Sequence, residues 1–193
     1  MVWAACTLDF FGFLRIGEMT VPNKSSYDTN VHLSINDVTF DHESSPSAMF
    51  ITIKASKTDP FRTGITLALG RTNHPLCPVA AMPAYLQIRG TKSGPLFQFS
   101  DGEPLTRSGF VAHVKACLTA AQKKYNGHSF QIGAATTAAS RGMEDSIIKT
   151  LGRWESTAYL HYIKIPREQL FLYMCNGCLV VRLVKCIIIQ KEM

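Results

Sequence analysis

The sequence predicts an α+β domain, mainly α-helical, with one small antiparallel sheet. Three observations predict it: apolar residues at helical spacing towards both ends, a central stretch alternating apolar with polar residues, and no sustained strand–helix alternation. The alternation that is missing is what a doubly wound parallel sheet would require. Residues 2–14 carry Trp3, Leu8, Phe10, Phe11, Phe13 and Leu14, apolar around most of a helix, which assigns this element to the centre of the core. Arg15 follows directly, and Gly17 and Glu18 mark a turn into a second short helix. Residues 31–40 and 48–57 alternate in character, with Met49, Ile51 and Ile53 on one side, and residues 64–69 repeat the period. Asp59-Pro60 lies between the last two runs, so a hairpin is expected around residues 57–64.

Residues 78–88 are helical in pattern and closed by Gly90. Pro83 inside that run lacks the N–H that would bond back to Val79, which predicts a kink or a later helix start. Residues 95–99 form a short apolar run before an Asp101-Gly102 turn. Thr106 then caps a helix reaching to about Lys124. Asn126-Gly127 is a turn, and residues 129–141 form a helix of small residues ended by Gly142. A short helix over 145–151 is closed by Gly152. Ser156 caps a last one, which carries Tyr159 and Tyr162 and stops before Pro166.

A chain of 193 residues suits one well-buried domain, and 46% hydrophobic residues is ordinary for a packed one. The formal net charge of +6 tilts it towards polyanions without singling out nucleic acid. Six cysteines are scattered singly except for Cys175-x-x-Cys178, which suits a reducing interior better than a disulfide framework. That pair lacks the second pair a zinc site would need. The apolar start has no basic residues before it and is interrupted by Asp9, so it reads as a buried helix rather than a signal peptide. No run reaches the roughly 18 apolar residues of a membrane span, so no membrane partner is expected.

Four segments stand out together: Phe11-Gly12-Phe13-Leu14-Arg15-Ile16-Gly17-Glu18, Ser56-Lys57-Thr58-Asp59, His128-Ser129-Phe130-Gln131, and Leu151-Gly152-Arg153-Trp154 running on to Tyr162-Ile163-Lys164. In order and spacing they resemble the catalytic domain of the tyrosine recombinases, the integrase-type DNA breaking-and-rejoining proteins. The wording is most similar to the eukaryotic mobile-element branch, of the DIRS and Crypton type, in which Gly-Arg-Trp precedes the nucleophile. The resemblance covers residues 1–168 and leaves 169–193 as a divergent C-terminal tail.

The resemblance implies an integrase-type catalytic fold and a defined chemistry. A tyrosine hydroxyl attacks a DNA phosphate, forms a covalent 3′-phosphotyrosine and releases a 5′-hydroxyl. The bond energy is retained, so neither ATP, metal nor other cofactor is required. Positive charge on the non-bridging oxygens is required, together with a proton for the leaving oxygen. Arg15 matches the first phosphate-clamping arginine, although a cap on the preceding helix would also explain it. Lys57 matches the hairpin lysine that protonates the leaving group, with Lys54 as the other candidate. His128 matches the histidine that assists proton transfer, against a plain helix-start role. Arg153 takes the position of a hydrogen-bonding histidine or tryptophan, with Trp154 beside it as packing. Tyr162, nine residues after Arg153, matches the nucleophile, with Tyr159 as the competing tyrosine. Arg15, Lys57, His128 and Arg153 are thereby the expected DNA contacts.

Gln131 departs from the pattern, since the family has its second phosphate arginine three residues after the histidine. Glutamine can donate two hydrogens but carries no charge. Losing one charged transition-state contact costs on the order of 2.7–4 kcal/mol, a hundred- to a thousand-fold in rate. Unless another cation serves, Arg141 being the nearest in sequence, an impaired enzyme is expected. Relatives clamp DNA with a preceding helical domain; this chain opens at the first catalytic helix, so weak, salt-sensitive and unselective binding to double-stranded DNA is expected. The resemblance also implies homo-oligomers on DNA and a nuclear location.

Residues 179–189 of the tail are apolar around Arg182 and Lys185, and either dock on a neighbouring subunit or form an unrelated, aggregation-prone end. A non-catalytic DNA-binding or assembly remnant, or a degenerate fragment, are the competing readings. A metal-dependent transposase would need a carboxylate triad on a strand-rich framework, which Asp9, Glu18, Asp59, Glu144 and Asp145 do not provide.

Overall fold

Helix α1, Val2–Phe11, buries Ala4, Ala5, Leu8 and also Thr7 and Asp9. In the computed structural model, which describes residues 1–56, 59, 61–118 and 125–164, it packs against α3 (Pro78–Arg89) and α4 (Arg107–Cys117). The helix is central, as its composition predicts, but Trp3 is not part of that core: it is 54% exposed. It also ends three residues earlier than expected. Gly12 N–H donates to Leu8 O, where a side chain would sit only 2.8 Å from that oxygen. Phe13 then turns into the left-handed region at φ 50°. Such a turn costs an L-residue about 1–2 kcal/mol. It is held by Leu14 N–H donating to Asp9 O at 3.0 Å. Helix α2, Ile16–Met19, follows at once, so Gly17 and Glu18 lie inside a helix rather than at its approach.

The sheet has the order β1-β2-β3, all antiparallel, with β1 Val38–Phe40, β2 Ala48–Ile53 and β3 Ile65–Gly70. Ile51 pairs with Val38 on one side and Leu67 on the other. Met49, Ile51 and Ile53 all face the core, as the alternation predicts. The first strand is much shorter than the run 31–40. Asp37 accepts from both the N–H and the hydroxyl of Ser34 at 2.7 Å, and this closes a 3₁₀ turn, Ile35–Asp37, in place of extended chain. β2 stops at Ile53, not 57. In the β2–β3 connection, Asp59 accepts from Thr63 N–H at 3.1 Å and Gly64 N–H at 2.8 Å.

α3 runs unbroken through Pro83, so the later start does not occur; Val79, Met82 and Tyr85 are buried around the missing bond. Thr106 caps α4 by accepting from Gly109 N–H at 3.1 Å. That helix ends at Cys117, and residues 119–124 lie outside those described. Leu96, Phe97, Leu105 and Phe110 complete the core of the unit Met1–Gln131.

The second unit, Ile132–Met193, is described as far as Lys164, so the tail lies outside the described residues. It contains most of α5 (Ser129–Ser140), then α6 (Asp145–Leu151) and a 3₁₀ helix, Thr157–His161, capped by Ser156. Ala134, Ala135 and Ala138 give α5 its buried face. Gly142 takes φ 74° at its end, as a terminating glycine should. Gly152 does not: it stays right-handed at φ −82°, and Arg153 takes the left-handed turn at φ 54°. The Trp154 ring lies where a Gly152 side chain would be, which is why a glycine is needed there.

Candidate active site

In the first unit a cleft of about 400 Å³ collects Arg15, Gly17, Glu18, Ser56, Arg107 and His128. Arg15 stands at the start of α2, and its side chain is only 15% exposed. Its Nη1 donates to Glu18 Oε1 at 3.1 Å and to Ser56 Oγ at 3.0 Å. Ser56 Oγ in turn donates to Glu18 Oε1 at 2.7 Å. This closed triangle fixes the guanidinium at the cleft wall and leaves its remaining donors to work there. The partners of this side chain belong to α2 and to the segment after β2, rather than to the carbonyls of α1 that a capping role would engage.

His128 is exposed and stands one residue before α5, its backbone N–H donating to Asn126 Oδ1 at 2.9 Å. The fold therefore brings Arg15 and His128, far apart in sequence, to one cleft. Lys57 lies outside the described residues, although Ser56 just before it lines the cleft. Lys54 is committed elsewhere, to Asp37 at 2.6 Å and Thr29 O at 2.7 Å.

Gln131 does not line the cleft. It is 1% exposed, and its Nε2 donates to Phe13 O at 3.2 Å, across the strained turn that leads into Arg15. Its Oε1 is buried with no hydrogen-bond partner among the described residues. Asp9, also buried, has both carboxylate oxygens without a partner there. Burial, and secondly the charge of Glu18, push its carboxyl well above the usual range. Burial, then Asp9 and Cys117, push the Cys6 thiol up to about 12. The Tyr125 phenol is raised by burial first, then by Asp9 and Cys6.

In the second unit Arg153 Nη1 donates to Leu151 O at 3.3 Å from its left-handed position. Trp154 is buried, with the Tyr162 ring at 5.1 Å and the Tyr159 ring at 6.3 Å. Tyr159 is also buried, and its hydroxyl donates to Asp145 Oδ2 at 3.1 Å. Burial, then that carboxylate, hold its phenol above the ordinary range. Tyr162 is half-buried. Thr136 on α5 secures its backbone, donating to Tyr162 O at 3.1 Å and accepting from Lys164 N–H at 3.0 Å. Arg141 is exposed in this unit, after the end of α5.

Arg107 is the cleft residue that sequence reasoning passes over. It opens α4, its N–H donates to Val21 O at 2.9 Å, and a side chain on Gly17 would sit 2.5 Å from its Nη2. An arginine after a capping threonine is common on a helix surface, so no sequence signal marks it. Among the described residues there is no group of three potential metal ligands and no helix long and apolar enough to cross a membrane.

No family model and no curated protein matches the sequence. Two solved structures of the Tn1549 transposon integrase are similar in fold. The one in complex with transposon right end DNA gives a TM-score of 0.56 at 15% identity, and the one in complex with a circular intermediate DNA gives 0.52 at 13%. Each match covers 89% of this chain and 57% of the other, so the chain spans under two-thirds of that integrase's length. The likeness does not distinguish the DIRS and Crypton branch from other tyrosine recombinases. With its helices and three-stranded antiparallel sheet, this chain has the fold of an integrase-type, tyrosine-recombinase catalytic domain.

Proposed function

We propose that the chain breaks and rejoins double-stranded DNA through a 3′-phosphotyrosine on Tyr162, as a mobile-element recombinase with reduced activity. The observation that carries this reading is the cleft shared by Arg15 and His128 in a chain of integrase-type fold. Tyr162 Oη attacks the phosphorus, the bond to the 5′-oxygen breaks, and the phenolic proton passes to a base in the site. Arg15 and Arg153 donate to the non-bridging oxygens, His128 shares in proton transfer, and Lys57 protonates the departing 5′-oxygen. Tyr159 suits the role less well, because its hydroxyl serves Asp145 and its raised pKa leaves less phenolate. Neither metal nor cofactor enters this chemistry. The Gly152-Arg153-Trp154 wording supports a eukaryotic mobile-element origin, hence a nuclear location and homo-oligomers on DNA.

A second reading, a DNA-binding or assembly module without catalysis, is favoured by Gln131: the neutral residue at the arginine position is buried and serves the Phe13 turn. A nicked suicide duplex in EDTA separates the two. A covalent protein–DNA adduct that forms slowly and is lost in Tyr162→Phe supports the enzyme. An adduct seen only after Gln131→Arg identifies the glutamine as the lesion. None from either chain leaves the binding module.

A further inference from the structure

We propose that Arg107, seated against Gly17, is a phosphate ligand of the cleft and supplies there the second guanidinium that Gln131 cannot. The proposal rests on reading the cleft as a DNA phosphate site. Three observations on separate elements carry it. First, charge: Arg15 is paired with Glu18, a carboxylate whose side chain is only 3% exposed, so that pair brings little net charge to the cleft. Among the described residues no carboxylate pairs with Arg107, which makes it the cation whose charge is not already offset. An arginine in that state offers its planar fork to an anion.

Second, placement. The backbone of Arg107 is fixed at the start of α4 by its bond to Val21 O and by the adjoining Val21–Thr106 bridge. Its Nη2 lies 2.5 Å from where a Cβ on Gly17 would be, so the guanidinium rests directly on α2. A helix would otherwise favour alanine at 17, and any Cβ there would displace the Arg107 guanidinium from its seat. Third, vacancy of the role. Gln131 is neutral, buried, and turned to the Phe13 carbonyl, so no charge reaches the cleft from the position where relatives carry it.

The test reads binding of a short fluorescein-labelled duplex by anisotropy across a salt series. Arg107→Gln should weaken binding about tenfold and make the slope of log K against log salt shallower by about 0.9, the value for one lost phosphate contact. Lys115→Gln removes the same charge from the same helix and should do much less. Gly17→Ala should weaken binding in the same direction without lowering the melting temperature, because only the flexible end of Arg107 must move. Equal losses in Arg107→Gln and Lys115→Gln, or wild-type binding by Gly17→Ala, overturn the proposal.

Arginine-selective modification of the wild-type chain by phenylglyoxal, mapped by peptide mass spectrometry, tells its failure from that of the cleft. DNA should protect both Arg107 and Arg15. Protection of Arg15 alone removes Arg107 and keeps the phosphate site; protection of neither removes both.

Discussion

Asp9 sits in α1 as a carboxyl group with no hydrogen-bond partner among the described residues and with Glu18 near enough to raise its pKa further. Its folded-state pKa is above that of the unfolded chain, so the folded state binds the extra proton. Stability is full below the unfolded value, about 3.9, and falls as pH rises towards the folded value, by up to about 1.4 kcal/mol per pH unit. Asp9→Asn removes the ionisation and keeps the shape. Thermal melts should show this variant gaining on wild type as pH rises above about 4, whereas two parallel curves would contradict the buried-acid account. Gln131 makes the complementary point. Its amide bond to Phe13 O restrains a left-handed turn two residues before Arg15, so this buried side chain supports the segment that carries Arg15 into the cleft.

The turn after α6 shows how an element ends in order to place its neighbours. Gly152 is required because Trp154 folds back over it, and Arg153 takes the positive φ in consequence. Gly152→Ala should cost roughly 1–3 kcal/mol, as overpacking does. In a Trp3→Phe background, where Trp154 is the remaining tryptophan, its emission should shift to the red as the ring is expelled. An unshifted spectrum and unchanged denaturation midpoint would contradict this packing. Elements such as β2, α3 and the Thr106-capped α4 were legible because periodicity, caps and terminal glycines are local properties. The early end of α1, the shortening of the first strand and the swap at Gly152-Arg153 were not. Each depends on a contact between side chain and backbone, such as Asp37 with Ser34, that competes with the regular element.

At the scale of the molecule, the motifs single out Arg15 and His128 because both lie in segments whose wording is distinctive, and the fold brings the two to one cleft. They pass over Arg107, whose place in the cleft arises only where α4 and α2 meet. If Arg15, Lys57, Arg107 and Arg153 each meet a phosphate, the slope of log K against log salt for duplex DNA should be roughly −3 to −4. A titration giving a slope near zero would remove DNA phosphate as the partner. Tyr162, finally, has its carbonyl and the N–H two residues later both bound to the single hydroxyl of Thr136. With the main chain anchored on both sides, any turn of the phenol away from Trp154 is a torsion about its own side-chain bonds and does not unravel the segment. If this phenol is the nucleophile, presenting it is the rotation of one half-buried ring and not the loop opening that takes nanoseconds to microseconds.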